Sequence, residues 1–293
     1  MTRELVVISG KGGTGKTSVA ASLAVLADSP VMADCDVDAA DLHLVFSPVI
    51  RERNEFWSGH QAVIRSGICT GCGKCRDLCR FDAVGRVDTA PGDSVYFVDP
   101  TACEGCGVCV RFCPAGAIDF PERHCGHWMV SDTRVGPMVH GRLGTAAENS
   151  GRLVSLVRSE ARRVAKADDR KCIIVDGPPG IGCPVIASVT GAKMVLAVTE
   201  PTLSGEHDLK RVLELTAHFR IPTWVAMNKW DLNPEITLRV EGEAVAAGAQ
   251  LAGRIRYDPG VTEAQMNGRA VVETDAPSAG DIEMMWFNLG FQV

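Results

Sequence analysis

Eight of the twelve cysteines stand in two short runs, CTGCGKCRDLC and CEGCGVCVRFCP. Cys69, Cys72, Cys75 and Cys79 follow the spacing C-x2-C-x2-C-x3-C, and Cys103, Cys106, Cys109 and Cys113 repeat it 34 residues later. Three thiols three residues apart can wrap one tight turn around the corner of an iron-sulfur cubane, while the fourth, a short helical step further on, points away from it. Two such quartets call for two [4Fe-4S] clusters. Zinc binding and disulfide formation are the competing uses of the same residues, but zinc favours separated cysteine pairs over compact quartets. Pro114 follows the second run, whereas Arg80 stands at the matching place in the first. A cation there bears on the solvation and potential of the neighbouring cluster.

A second set of reactive positions opens the chain. Leu5 to Ile8 form a short apolar run with β-branched residues, followed by GKGGTGKTS from Gly10 to Ser18 and an apolar helical pattern through Leu26. Strand, glycine loop and helix are the context of a P-loop. The loop from Gly12, Gly13, Thr14 and Gly15 through Lys16, Thr17 and Ser18 is expected to close on phosphate oxygens at a helix N-terminus. Lys16 then serves the β- and γ-phosphates, and the Thr17 hydroxyl serves Mg2+. Pro30 to Ala33 read as a second strand ending in Asp34-Cys35-Asp36-Val37-Asp38, and KCIIV reads as a buried strand ending at Asp176. Carboxylates at the carboxyl ends of such strands lie in the ligand crevice of a doubly wound sheet. Asp176 can there hold the water shell of Mg2+, and Asp38 reads equally well as a helix cap.

These motifs resemble two known groups joined in one chain. The cysteine runs are similar to those of bacterial two-cluster ferredoxins, which implies crossed ligation. One cluster takes Cys69, Cys72, Cys75 and Cys113, and the other takes Cys103, Cys106, Cys109 and Cys79. KGGTGKT resembles the deviant Walker A loop of the MinD, ParA, Mrp and nitrogenase iron protein group. That resemblance implies ATP hydrolysis in a nucleotide-sandwiched dimer, with Lys11 reaching the partner's ATP as an arginine finger does; a solvated loop lysine is the alternative. It also implies that Asp36 positions the attacking water and Asp34 orients the Mg2+ hydration shell, so that Lys11, Lys16 and Asp36 form the catalytic set. DGPPG from Asp176 resembles a switch that rearranges on hydrolysis. Asn228-Lys229-Trp230-Asp231 has the form of the guanine motif of GTPases, yet the MinD group uses an asparagine here for adenine, so Asn228 is expected to serve the base of ATP. Cys183 follows Asp176 at the offset of a cluster ligand shared across the nitrogenase iron protein dimer; a small buried hydrophobe is the other reading. His124, Cys125 and His127 lie close together but lack a fourth ligand nearby in sequence.

To position these groups the chain needs an α/β scaffold: a doubly wound, mostly parallel sheet with an inserted α+β, ferredoxin-like domain. The expected division is an ATPase part at 1–59, the insertion at 60–120 and the rest of the ATPase at 121–293. RERNEFWSGHQAVI is expected to walk the chain out of the sheet, and the glycine-rich stretch after the insertion has no clear period. A helix is expected over 148–167, with Leu153, Leu156, Val157 and Val164 on one face. Strands and helices then alternate: 193–199, 204–219, 222–227 and 235–247. The apolar tail DIEMMWFNLGFQV is expected to pack as a terminal helix.

The formal net charge is -6, and each oxidised cluster with its thiolates adds roughly -2 more. Nucleic acid and anionic membranes are therefore not expected as partners on charge grounds. No apolar run approaches the ~20 residues of a membrane span, the P-loop begins too early to leave room for a targeting segment, and a reducing cytoplasm suits the cysteine content. The leading expectation is an ATPase whose dimer, homomeric or with a related chain, gates electron transfer through two clusters to a redox or iron-sulfur client. An Mrp-like iron-sulfur carrier is the alternative, and a MinD-like spatial regulator a third reading.

Overall fold

The computed structural model describes residues 2–90, 93–144 and 150–291. They fall into two compact units, one made of Met1–Asn54, His127–Arg142 and Ser150–Val293, the other of Glu55–Gly126 and Leu143–Asn149. The second unit is wider at both ends than the 60–120 segment expected from sequence.

The chain runs from β1 (Arg3–Ser9) through the glycine loop into α1 (Lys16–Leu26), then β2 (Val31–Asp34), α2 (Leu42–Phe46) and β3 (Val49–His60). Next come β4 (Val63–Ile64), α3 (Lys74–Asp77), β5 (Val84–Ala90), β6 (Asp93–Val98), α4 (Val108–Arg111) and β7 (Ile118–Asp119), followed by β8 (Glu122–Asp132) and β9 (Pro137–Leu143). Helix and strand then alternate as α5 (Ser150–Ala167), β10 (Cys172–Pro179), α6 (Cys183–Val189), β11 (Met194–Thr199), α7 (Leu203–His218) and β12 (Thr223–Asn228). The last elements are α8 (Pro234–Ala246), β13 (Gln250–Ile255), α9 (Gly260–Met266) and α10 (Pro277–Asn288). Residues 148 and 149 of the helix expected over 148–167 lie outside the described residues.

Nine strands form one sheet in the order β13-β12-β11-β1-β10-β2-β9-β8-β3. Every pairing from β13 to β9 is parallel. Parallel neighbours require crossover helices that cover both faces, so the central strands read as continuous apolar runs rather than alternating ones. LVVI of β1 and CIIV of β10 are such runs and are fully buried. The core on the α1 side gathers Leu5, Leu23, Met32, Ile174, Leu196 and the inward face of α10, including Ile282, Met285 and Trp286. On α5, Leu153, Val157 and Val164 are buried as expected, Leu156 is only half-buried, and Arg158 is buried as well. Its guanidinium binds Glu4 of β1 at 2.9 Å and donates to the carbonyls of Ala187 and Thr190 at the end of α6.

The sheet is larger than the sequence suggested. RERNEFWSGH belongs to β3 at the edge of the sheet and does not simply leave it; most of the strand is exposed, and its alternating Arg and Glu suit an edge. The aperiodic stretch after the cysteines supplies β8 and β9. Within them Ser131 Oγ and His140 Nε2 lie 2.8 Å apart and buried, and His140 sits opposite Asp34 of β2. Burial, with His43 adding repulsion, lowers the His140 pKa to about 4. The unfolded chain protonates this residue near pH 6.5 and the folded chain does not, so unfolding takes up a proton between those values. The contribution to stability is complete above pH 6.5 and is lost as pH falls toward 4, by about 3 kcal/mol in total. Thermal melts at pH 7, 5.5 and 4.5 should show a falling midpoint, and His140→Gln should flatten that slope; an equal slope in the variant would remove His140 as its source.

Candidate functional site

The glycine loop joins β1 to α1 through Gly15, which caps the helix with φ 85°. A side chain at Gly15 would be strained in this left-handed conformation and would collide with the amide of Asn228. That amide donates to Thr14 O at 2.7 Å, and Lys229 Nζ donates to Gly13 O at 3.1 Å, so the end of β12 braces the loop from one side. Loop and braces border a cavity of about 440 Å³, large enough for a nucleotide. Its lining runs from Ser9 and Gly12 through Ser18 to Asp36, Pro179 and Asn228, and closes with Arg256, Tyr257, Asp258, Val261, Thr262 and Gln265.

Under the loop, Lys16 Nζ meets Asp176 Oδ1 at 2.5 Å and Asp36 Oδ2 at 3.5 Å, and the Thr17 hydroxyl donates to Asp176 Oδ2 at 2.8 Å. Burial alone would lower the Lys16 pKa, but Asp176, then Asp36 and Asp34, raise it above the ordinary value. Asp34 is fully buried and accepts from the backbone N–H groups of Asp36 and Leu42. Burial first, then Asp176, pushes its carboxyl well above the usual range, and burial likewise raises Asp36. Three acidic side chains thus crowd one ammonium, and burial and mutual repulsion favour the protonated acids unless a divalent cation adds positive charge.

Lys11 turns to its own chain. Its ammonium lies 2.7 Å from Glu200 Oε1, 2.8 Å from Ser204 Oγ and 3.2 Å from Thr202 Oγ1. Asp231 accepts from the backbone N–H of Tyr257 at 2.7 Å.

In the second unit the two cysteine runs adopt matching backbones. Gly71 and Gly73 have φ of 68° and 75°, Gly105 and Gly107 of 62° and 72°, and the short helices α3 and α4 start directly after each loop. The halves are interlocked: Gly71 packs against Ser94 O, and Gly105 packs against His60 O, so each loop leans on the segment belonging to the other. Cys69, Cys72, Cys75 and Cys113 line one small cavity with Ile64, Tyr96 and Pro114. Cys72 and Cys106 are exposed, while the other six thiols of the runs are half-buried. Among the described residues no three His, Cys, Asp or Glu side chains converge as ligands of a single metal ion. A cubane instead spreads its thiolates over separate irons.

The family description "CobQ/CobB/MinD/ParA nucleotide binding domain" matches residues 5–271. The chain belongs to this family. An uncharacterized protein of Methanocaldococcus jannaschii is 33% identical over 235 residues, covering 78% of this chain and 79% of its own length. A second uncharacterized protein of the same organism is 24% identical over 236 residues, covering 78% and 81%. The fold is that of the septum site-determining protein MinD complexed with Mg-ADP from Pyrococcus horikoshii, with a TM-score of 0.59 at 17% identity over 99% of this chain and 97% of that one.

Within this MinD/ParA-family frame, the structure gathers Lys16, Thr17, Asp34, Asp36 and Asp176 beneath the glycine loop and sets Asn228 beside it. Cys183 is exposed at the start of α6, which removes its reading as a buried hydrophobe. Cys35 and Cys172 are buried, and burial raises both thiols, Cys172 to about 12. Cys125 is buried and donates to Ser58 O. Glu200 was not singled out in the sequence, although it follows directly on a buried strand, where a carboxylate reaches the crevice. Gly15→Ala should weaken Mg-ADP binding about five- to thirtyfold by calorimetry, from a backbone cost of about 1–2 kcal/mol, with the far-ultraviolet spectrum unchanged; undiminished binding would contradict the crowding at Asn228.

Proposed function

We propose that this chain is a Mg2+-dependent ATPase in which the nucleotide state of a dimer gates electron transfer to a redox partner through two [4Fe-4S] clusters held by the second unit. The observation that carries the redox part is the cavity shared by Cys69, Cys72, Cys75 and Cys113. Three thiols of one run meeting the last thiol of the other is the arrangement that crossed ligation requires, and the repeat assigns Cys103, Cys106, Cys109 and Cys79 to the second site. A cluster bound there supplies a one-electron carrier with every iron already ligated by thiolate, which suits electron transfer better than substrate chemistry.

In the nucleotide site, the loop amides and Lys16 bind phosphate, and Thr17 and Asp176 serve Mg2+. Asp34 stands behind them as a fixed carboxylate for the ion's water shell, Asp36 orients the attacking water, and Lys11 acts from the opposite protomer. ATP is favoured over GTP because the carboxylate that would read guanine in the NKxD motif, Asp231, is turned to the backbone of Tyr257. The dimer is homomeric or pairs this chain with a relative; two related chains in one organism make the second arrangement concrete. The exposure of Cys183 favours, as a second reading, an iron-sulfur carrier with a further cluster at a dimer interface.

After anaerobic reconstitution, iron and sulfide should reach roughly eight of each per chain, and Cys113→Ser should lose one cluster signal in electron paramagnetic resonance while keeping the other. Oxidation of the reduced protein by an acceptor should accelerate with ATP and Mg2+. Equal rates with and without nucleotide would exclude gating, and iron clearly above eight would favour the carrier. Competition binding should show at least a tenfold preference for ATP over GTP; equal affinity would reverse the reading of Asp231.

A further inference from the structure

Lys11 has its donors filled by Glu200, Ser204 and Thr202 of its own chain. The site is an unlikely one for a cation. Thr202 is the N-cap of α7 and accepts from Gly205 N at 3.0 Å, so the ammonium sits at the positive end of a sixteen-residue helix. Cations are disfavoured at that end, and two neutral hydroxyls do not offset the repulsion. Glu200 supplies the opposing charge. Its other oxygen takes Lys229 Nζ at 3.0 Å, and Lys229 in turn holds Gly13 O in the phosphate loop. One carboxylate, largely shielded from water, therefore ties together the lysine before the loop and the lysine that braces it. Burial alone would raise the Glu200 pKa, yet the two lysines hold it below the ordinary value, so the carboxylate stays charged.

We propose that Glu200 is a positioning residue that retains Lys11 on its own chain, so that pairing of two protomers around ATP requires this contact to be broken. The proposal builds on the reading of Lys11 as a group acting across the dimer. It adds an opposing tether, which sets how much ATP is needed before protomers pair. Glu200→Gln keeps the shape and one acceptor oxygen but removes the charge, leaving the ammonium facing the helix end.

Two measurements on the full, anaerobically purified chain test this. In nucleotide-free protein, acylation of Lys11 by an amine-reactive ester, followed by peptide mass spectrometry, should speed up severalfold in Glu200→Gln. Buried Lys16 should keep its rate, which a general loosening would not allow. In light scattering during an ATP titration, the midpoint of dimerisation should fall roughly tenfold, with a smaller fall for Ser204→Ala, which leaves the carboxylate in place. An unchanged Lys11 acylation rate overturns the tether. So does faster acylation without easier pairing, or an effect of Ser204→Ala as large as that of Glu200→Gln. Lys11→Ala separates the two levels: if it pairs with ATP as the natural chain does, the cross-dimer role of Lys11 fails, whatever Glu200 does.

Discussion

The nucleotide site depends on one electrostatic constraint: a buried ammonium, Lys16, held among Asp176, Asp36 and Asp34. Removing any of these charges from water is costly unless a partner stands in contact. The parallel register meets that condition by geometry. Asp176 of β10 pairs at once with Val7 of β1 and Asp34 of β2, so the strand that delivers the carboxylate also flanks the strand that leads into the glycine loop. The apolar runs of β1 and β10 are what fix this register, because both faces are buried and a slip would expose them. Packing in the middle of the sheet thus determines charge placement at its carboxyl edge.

The second unit is held by a different logic. Its helices are single turns and β4 and β7 have two residues each, so little apolar area is available to order the cysteine loops. Order comes instead from reciprocal backbone packing, Gly71 on Ser94 and Gly105 on His60, positions separated by the same 34-residue offset as the thiols themselves. The repeat visible in the cysteines therefore extends to residues that carry no chemistry.

The positions expected to carry chemistry stand out in the sequence because their spacing is local. The phosphate loop, the carboxylates at the end of β2 and within β10, and both cysteine runs are short motifs whose backbone geometry follows from nearby residues. The helices α7 and α8 were legible too, since strand and helix alternate with clear periods there, whereas α6 was not expected. What stayed hidden was set at long range. The strands β3, β8 and β9 carry no strong alternation because only neighbouring strands tell their residues which face to take. The contact of Glu200 with Lys11 joins positions 189 residues apart, so the place of Glu200 at a strand end points to the crevice but not to its partner. The place of Asp34 at a strand end points to the crevice but does not show that the backbone N–H groups of Asp36 and Leu42 hold its two oxygens.

Arg158 gives α5 a role beyond packing. Its guanidinium grips the last carbonyls of α6 and the buried Glu4 of β1 together. Parting such a buried charge from its partner costs several kilocalories per mole, so α5 is held against both α6 and β1. A single guanidinium therefore works as a rivet, fixing to one helix two elements that lie 29 and 154 residues away along the chain.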